Sequence, residues 1–232
     1  GFRNMLIERG VPESKIELIY NWCAEDALKA PIGGLPDAFP GPGTFRILFA
    51  GNMGNAQGLE AVLNAAELLQ KQAAEASFVF LGGGVDVLRL QQLASSRALS
   101  NVTFLPAVPM TEVGSYLHAA DALLVHLKSD PLFAITIPSK TQAYMAVGKP
   151  ILMAVDGDAA DLVHASRAGQ IARSGNSQSI ADAALALMSA SADERNAMAA
   201  SGRRFYQENL SLQVGVSRFG EIFKRLAGMK DN

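Results

Sequence analysis

Ser139, Lys140 and Gln142 form the grouping in this chain whose types and spacing could do chemistry. They sit in the segment from Ile137 to Leu152, which reads as a loop, a short helix, a Gly148-Lys149-Pro150 turn and a buried strand. Ser139 stands where an N-cap belongs, and Gln142 three residues on completes a capping-box pattern. Lys140 then falls in the first turn, where the macrodipole is already positive and a cation does not help the helix itself. An anion docked at the helix start resolves that conflict, held by free backbone N–H groups and the ammonium together. Phosphate or pyrophosphate is the obvious guest. Taken alone, the segment fits a solvated lysine beside an ordinary cap equally well.

Three further stretches are unusual. Gly51-Asn52-Met53-Gly54-Asn55-Ala56-Gln57-Gly58 combines glycines, which allow close backbone approach, with the neutral hydrogen-bonding groups of Asn52, Asn55 and Gln57. Its glycine spacing is not that of a dinucleotide fingerprint, and a tight strand-to-helix turn explains the glycines alone. Gly82-Gly83-Gly84 sacrifices backbone entropy, which points to close approach by a nucleotide or by the other loops. No Lys-Ser/Thr pair follows it in P-loop spacing, so it is not an NTPase site. Ala107-Val108-Pro109 offers backbone that could meet a flat base. Lys128 reads as a solvated lysine or as a cation facing a phosphate, and His126 reads as structural.

The elements that position these loops follow from periodicity. A helix-like segment (Phe2 to Arg9), a Gly10-Val11-Pro12 break and a short strand-like run (Ile16 to Tyr20) precede residues 31 to 44. Four prolines and four glycines make that stretch a linker. Beyond it, strands are expected at Arg46 to Ala50, Phe78 to Leu81, Val102 to Leu105, Ala122 to His126, Pro150 to Val155 and Gln170 to Ala172. Helices are expected at Gly58 to Gln72, Val85 to Arg97, Thr111 to His118, from Ser139, and at Ala159 to Ser166. Three more close the chain: Ser177 to Ser189, Asp193 to Asn209 and Leu212 to Ala227. Short apolar runs alternating with amphipathic helices predict an α/β fold, a doubly wound, Rossmann-like parallel sheet with a C-terminal helical tail. Ligands on such sheets bind beyond the C-terminal strand ends.

Composition narrows the function. The chain has 232 residues, 49% hydrophobic and 18% charged, enough for a substantial core. A net charge of −2 without a basic block argues against nucleic acid as the main partner. No apolar stretch approaches the ~18 residues of a membrane span. The start at Gly1, with no apolar core after Asn4, predicts a fragment or processed product without a signal peptide. Cys23 alone cannot form an internal disulfide and fits a reducing compartment as a structural thiol beside Trp22. His118, His126 and His164 are scattered, so no metal site is expected.

Together these residues resemble the C-terminal, donor-binding half of a GT-B glycosyltransferase, most closely family 4 (group 1) of the retaining enzymes, in the branch that builds bacterial surface polysaccharides. The resemblance runs along the whole chain. Its most specific parts are Pro138-Ser139-Lys140 and Tyr144-Met145-Ala146-Val147-Gly148-Lys149-Pro150. Phe49-Ala50-Gly51-Asn52-Met53-Gly54, Phe80-Leu81-Gly82-Gly83-Gly84, Ala119-Ala120-Asp121-Ala122, Asp156-Gly157-Asp158 and Ala168-Gly169 also look like family segments. The resemblance implies a nucleoside-diphosphate sugar as substrate, no cofactor or metal, and an acceptor held by an N-terminal domain of the same parent protein. Gly51, Asn52 and Gly54 would then line the sugar-diphosphate, Ser139, Lys140 and Thr141 would hold its phosphates, and the backbone around Val108 would meet the base; Gln57, Gly83 and Lys128 are counted with them as donor-binding residues. No catalytic residue is assigned within the chain. On this reading residues 1–30 are the hinge and edge of the missing domain, 31–44 the linker, 45–210 the nucleotide-sugar-binding domain, and 211–232 a helix that packs back toward the N-terminal domain. The parent would work in the cytoplasm, at the inner membrane face through that missing domain.

Two departures stand out. Asn52 and Gln57 occupy neighbourhoods where many relatives carry Arg and Lys. The usual pair of glutamates seven residues apart maps onto Ile135 and Ala143, so the ribose loses its carboxylate. Loss of one charged hydrogen-bonding group is worth about 1.5–3 kcal/mol. Ala143 therefore keeps open a degenerate, non-catalytic nucleotide-binding or interaction module. A GT-B sugar-nucleotide epimerase would need acid/base groups, for which His126 and Asp130 are the candidates.

Overall fold

A computed structural model describes residues 1–29 and 34–228. Six strands, β1 (Phe45–Ala50), β2 (Ala76–Leu81), β3 (Val102–Leu105), β4 (Ala122–His126), β5 (Ile151–Ala154) and β6 (Gly169–Ile171), form one sheet. Its order is β3-β2-β1-β4-β5-β6, and every pairing is parallel. The helices in chain order are α1 (Phe2–Glu8), α2 (Glu60–Lys71), α3 (Val87–Ser96), α4 (Met110–Ala119), α5 (Pro131–Ala134), α6 (Ser139–Val147), α7 (Asp158–Ser166), α8 (Ser177–Ser189), α9 (Ala192–Asn209) and α10 (Leu212–Leu226).

Alternation along the strands explains the layers. Ile47, Phe49, Phe78, Phe80, Leu124 and Leu152 point to one face and pack with Val62, Leu63 and Leu69 of α2 and Ile180 and Leu187 of α8. Leu48, Val79, Leu123, Val125, Ile151 and Met153 point to the other, against Tyr116, Tyr144 and Met145, Val163 and Tyr206 of α4, α6, α7 and α9. The α2 stripe expected from the sequence, Leu59, Val62, Leu63, Ala66 and Leu69, is fully buried. At the N-terminal strand ends Arg46 and Asp121 lock β1 to β4. Nε donates to Oδ2 at 2.8 Å and Nη2 to Oδ1 at 3.1 Å, while the Arg46 N–H donates to the same carboxylate at 2.9 Å.

After β1 the chain runs outward through β2 to β3, then returns to β4 on the opposite side of β1. The order reverses between β1 and β4, so the loops leaving these two strands flank a crevice.

One local expectation fails. Ile16 to Tyr20 is not a strand: a 3-10 turn, Glu13–Lys15, leads into extended chain that joins no sheet. An apolar, β-branched run becomes a strand only where a neighbour supplies hydrogen bonds. The short helix α5 was not foreseen; Asp130 caps it by accepting from the Leu132 N–H at 2.8 Å. The linker expected over residues 31–44 lies partly outside the described residues. Its described part is held down by Phe39, buried edge-on against Tyr116 with ring centroids 6.0 Å apart. The end of the expected C-terminal segment, residues 229–232, also lies outside the described residues.

Candidate functional site

A cavity of about 880 Å³ opens at the β1–β4 crevice. Gly51, Asn52 and Gln57 from the loop after β1 line it, with Gly83 after β2, Val108 after β3, and Ser139 and Lys140 at the start of α6. Gly54, Lys128 and Thr141 do not. Gly54 is buried and its N–H donates inward to Gln57 Oε1 at 3.0 Å. Lys128 is exposed, with its backbone packed over Gly58. Thr141 is wholly buried and its N–H is taken by the Pro138 carbonyl at 2.8 Å.

The capping box also resolves differently. Pro138 is the N-cap and Ser139 the first helical residue, with no side-chain cap. Proline's ring already holds φ at −60° and it has no N–H, so it ends the extended loop without a side-chain bond. Gln142 turns inward and, with its amide oriented to satisfy both, donates to the Pro138 and Ser139 carbonyls at 3.0 Å. Ser139, whose side chain makes no cap bond, lines the cavity. Among the described residues, the N–H groups of Ser139 and Lys140 meet no protein acceptor.

Lys140 Nζ lies 3.6 Å from the centroid of the buried Phe49 ring and would sit 3.4 Å from a Cβ at Gly51. No carboxylate pairs with it among the described residues. Burial pushes its ammonium down to about 7. A cation held without a counter-ion, beside free N–H groups, is a site prepared for an anion.

The glycine loops are built against each other. Gly82, at φ +143°, passes so close to β1 that a Cβ would meet the Gly51 carbonyl oxygen at 2.1 Å. Gly84, at φ +144°, leaves 2.3 Å to the Met53 oxygen. The Gly51 N–H donates to Leu81 O at 2.8 Å and the Met53 N–H to Gly83 O at 2.7 Å, extending the β1–β2 pairing into the loops. Gly83 alone of the three faces open space. Of the two reasons for close approach, loop against loop accounts for Gly82 and Gly84.

Two buried residues position this wall. The His126 ring bridges Gln57 O, 2.5 Å from Nδ1, and the Gly175 N–H, 3.3 Å from Nε2. A backbone N–H can only donate, so Nε2 accepts and Nδ1 carries the proton. The imidazole is neutral, its pKa lowered mainly by burial. The Tyr144 hydroxyl accepts from the Ala50 N–H at 3.0 Å and lies 3.4 Å from its carbonyl, tying α6 to the end of β1. Sequence reasoning gave Tyr144 no role, because it reads as another apolar residue of a helix. Tyr144→Phe leaves the Ala50 N–H without its partner and lowers stability by about 1–2 kcal/mol. A denaturant titration checks this: the midpoint falls and the slope stays unchanged.

The far wall comes from the N-terminal segment, where Trp22, Cys23, Ala24 and Leu28 enter the lining. Glu25 Oε1 anchors that segment by accepting from Tyr206 Oη at 2.7 Å and from the Leu212 N–H at 3.0 Å. The Trp22 ring fills the space that a side chain at Gly215 would take. Cys23 Sγ donates to Tyr206 Oη at 3.1 Å, and burial pushes its thiol up, as befits a structural cysteine.

Residues 39–205 match the family described as glycosyl transferases group 1. The chain belongs to that family. Among its relatives is WbjE of Pseudomonas aeruginosa, named a probable glycosyltransferase, 31% identical over 144 residues, or 60% of this chain and 34% of that protein. Another is WcaI of Escherichia coli K12, named for colanic acid biosynthesis, 31% identical over 150 residues, or 62% of this chain and 36% of that one. The match to each therefore spans about a third of the relative's length. The group 1 fold is also that of Anabaena Alr3699/HepE, solved with UDP and glucose. The TM-score is 0.75 at 16% identity, covering 96% of this chain and 60% of that one. Among the described residues no helix is long and apolar enough to cross a membrane, and no three His, Cys, Asp or Glu side chains group as metal ligands.

Proposed function

We propose that the cavity binds a nucleoside-diphosphate sugar and that this chain is the donor half of a glycosyltransferase acting in surface polysaccharide synthesis. One observation carries the reading: Lys140, unpaired and held against Phe49, stands beside the free N–H groups of α6 and the open backbone of Gly51. The diphosphate docks there, and as the sugar leaves it the same groups stabilise the growing negative charge. Seven of the ten residues expected at the donor line this one cavity, and the family membership and the UDP in the Anabaena structure support the same ligand class. Thermal shift with UDP, GDP and their sugars tests it: a saturable rise in Tm is expected. Its absence up to millimolar ligand, with the fold intact, overturns the reading.

Ala143 favours a second reading, a binding module without turnover, because it puts a methyl group in the cavity wall. Activity of the full parent protein separates the two. The epimerase reading loses ground, since His126 is neutral and committed on both nitrogens and Asp130 caps α5.

We also propose that α10 docks the acceptor-binding domain of the parent. Leu212, Val216, Phe219, Phe223 and Leu226 recur at helical spacing and are between 41% and 76% exposed. That is an apolar stripe wanting cover, and the relatives are long enough to supply it. Phe223→Asp in the parent should lower turnover at least tenfold and leave the Tm of this chain unchanged. Equal turnover in wild type and variant would contradict the docking.

A further inference from the structure

Of the three histidines, only His126 is buried. A ring drawn that far out of water must satisfy both nitrogens, and this one does so by joining two loops. On one side, residues 126–128 clasp the loop after β1 at three points. The His126 Nδ1–H donates to the Gln57 carbonyl at 2.5 Å, and the Lys128 N–H donates to the Ala56 carbonyl at 3.0 Å. Gly58 lies so close that a Cβ there would stand 3.5 Å from the imidazole Cε1 and 3.2 Å from the Lys128 Cβ. On the other side, the Gly175 N–H donates to Nε2 at 3.3 Å, and the Ser174 hydroxyl donates to the Leu127 carbonyl at 2.5 Å.

What the clasp holds faces the cavity, because Asn52, Ala56 and Gln57 all line it. Gln57 Oε1 accepts from the Gly54 N–H at 3.0 Å and from Asn52 Nδ2 at 3.3 Å. Asn52 Oδ1 and Gln57 Nε2, one acceptor and one donor, are left without a protein partner among the described residues. His126 also borders the cavity, yet both its nitrogens are committed to backbone, so it acts on a ligand through Gln57.

We propose that His126 is a positioning residue for the donor: its Nδ1–H fixes the Gln57 peptide, and through it the Gln57 and Asn52 amides that meet the ligand. This rests on the nucleoside-diphosphate reading above and deepens it. Displacing that peptide costs affinity without removing any group that contacts the ligand.

Two substitutions separate the two nitrogens. In His126→Asn the amide nitrogen falls near the place of Nδ1, keeping the bond to Gln57 and giving up Gly175. In His126→Gln the amide oxygen reaches the place of Nε2, keeping Gly175 and giving up Gln57. Calorimetry with UDP-glucose and GDP-glucose should find the Asn variant within about threefold of wild type and the Gln variant about tenfold weaker. Their Tm values should fall alike, since each leaves one buried backbone group unpartnered. In a Gln57→Ala background, adding His126→Gln should weaken binding by less than about twofold, because the two act as one unit. Equal affinity in wild type and both variants overturns the inference and leaves the nucleoside-diphosphate reading standing. So does an Asn variant as weak as the Gln variant, or an undiminished loss in the Gln57→Ala background. If wild type binds neither nucleotide sugar, that reading fails and takes this one with it. NMR of the wild type labelled at the histidine nitrogens gives a measure that needs no variant. Saturating nucleotide sugar should shift the His126 ring signals and leave those of the exposed His164 in place; unmoved His126 signals would contradict the coupling.

Discussion

Lys140→Met will weaken binding of a nucleoside-diphosphate sugar by about 10- to 100-fold, the worth of one charge-assisted contact to phosphate, and will raise the stability of the empty protein. Both effects share one cause. The ammonium rests against the Phe49 ring without a carboxylate partner, and burial lowers its pKa from the ordinary 10.5 to about 7. Between those values the unfolded lysine holds a proton that the folded one has released, so stability rises with pH across that window. Methionine removes this dependence and gains about 1 kcal/mol near neutrality, well below what the full displacement implies, because the amine tip reaches solvent through the cavity. For the ligand the sign reverses. A diphosphate restores the charged lysine, so binding takes up a proton, and affinity falls by up to tenfold per unit as pH rises above about 7. Both phosphates of a nucleotide sugar are esterified and keep fixed charge across this range, so the slope belongs to the protein. In Lys140→Met it should vanish.

Gly82→Ala will cost at least about 3 kcal/mol, enough to unfold much of a marginally stable domain. Its Cβ would sit 2.1 Å from the Gly51 carbonyl oxygen, at φ +143°, a region that L side chains rarely adopt. No flexible neighbour can yield, because the obstacle is the backbone of β1's own loop. Gly83→Ala is the control: nothing lies within 4 Å of its Cβ, so stability changes by less than about 0.5 kcal/mol while a methyl group enters the cavity. Thermal unfolding of the two variants side by side separates the structural glycine from the one that faces the ligand.

The sheet was legible because every strand is a short apolar run between amphipathic helices, a pattern set by burial on both faces. The strand expected at Ile16 to Tyr20 failed because hydropathy reports burial and says nothing of hydrogen-bonding partners. Ser139 was recognisable as a helix start, yet its capping role went to Pro138, whose fixed φ outweighs side-chain propensity. The cavity could be anticipated from Gly51, Gly83, Ser139 and Lys140, since strand ends and helix starts are local features. Its far wall could not. Trp22, Cys23 and Leu28 reach it through contacts from Glu25 to Tyr206 and Leu212, more than 180 positions apart along the chain. The Tyr144–Ala50 bond is likewise a tertiary fact, invisible to periodicity.

The most direct test of the anion site is calorimetric titration of wild type and Lys140→Met with a nucleoside-diphosphate sugar at pH 6.5 and pH 8.5. The wild type should bind saturably, more tightly at the lower pH, and the variant should lose most of that affinity and all of the pH dependence. Equal affinity in the two proteins at both pH values would contradict the account.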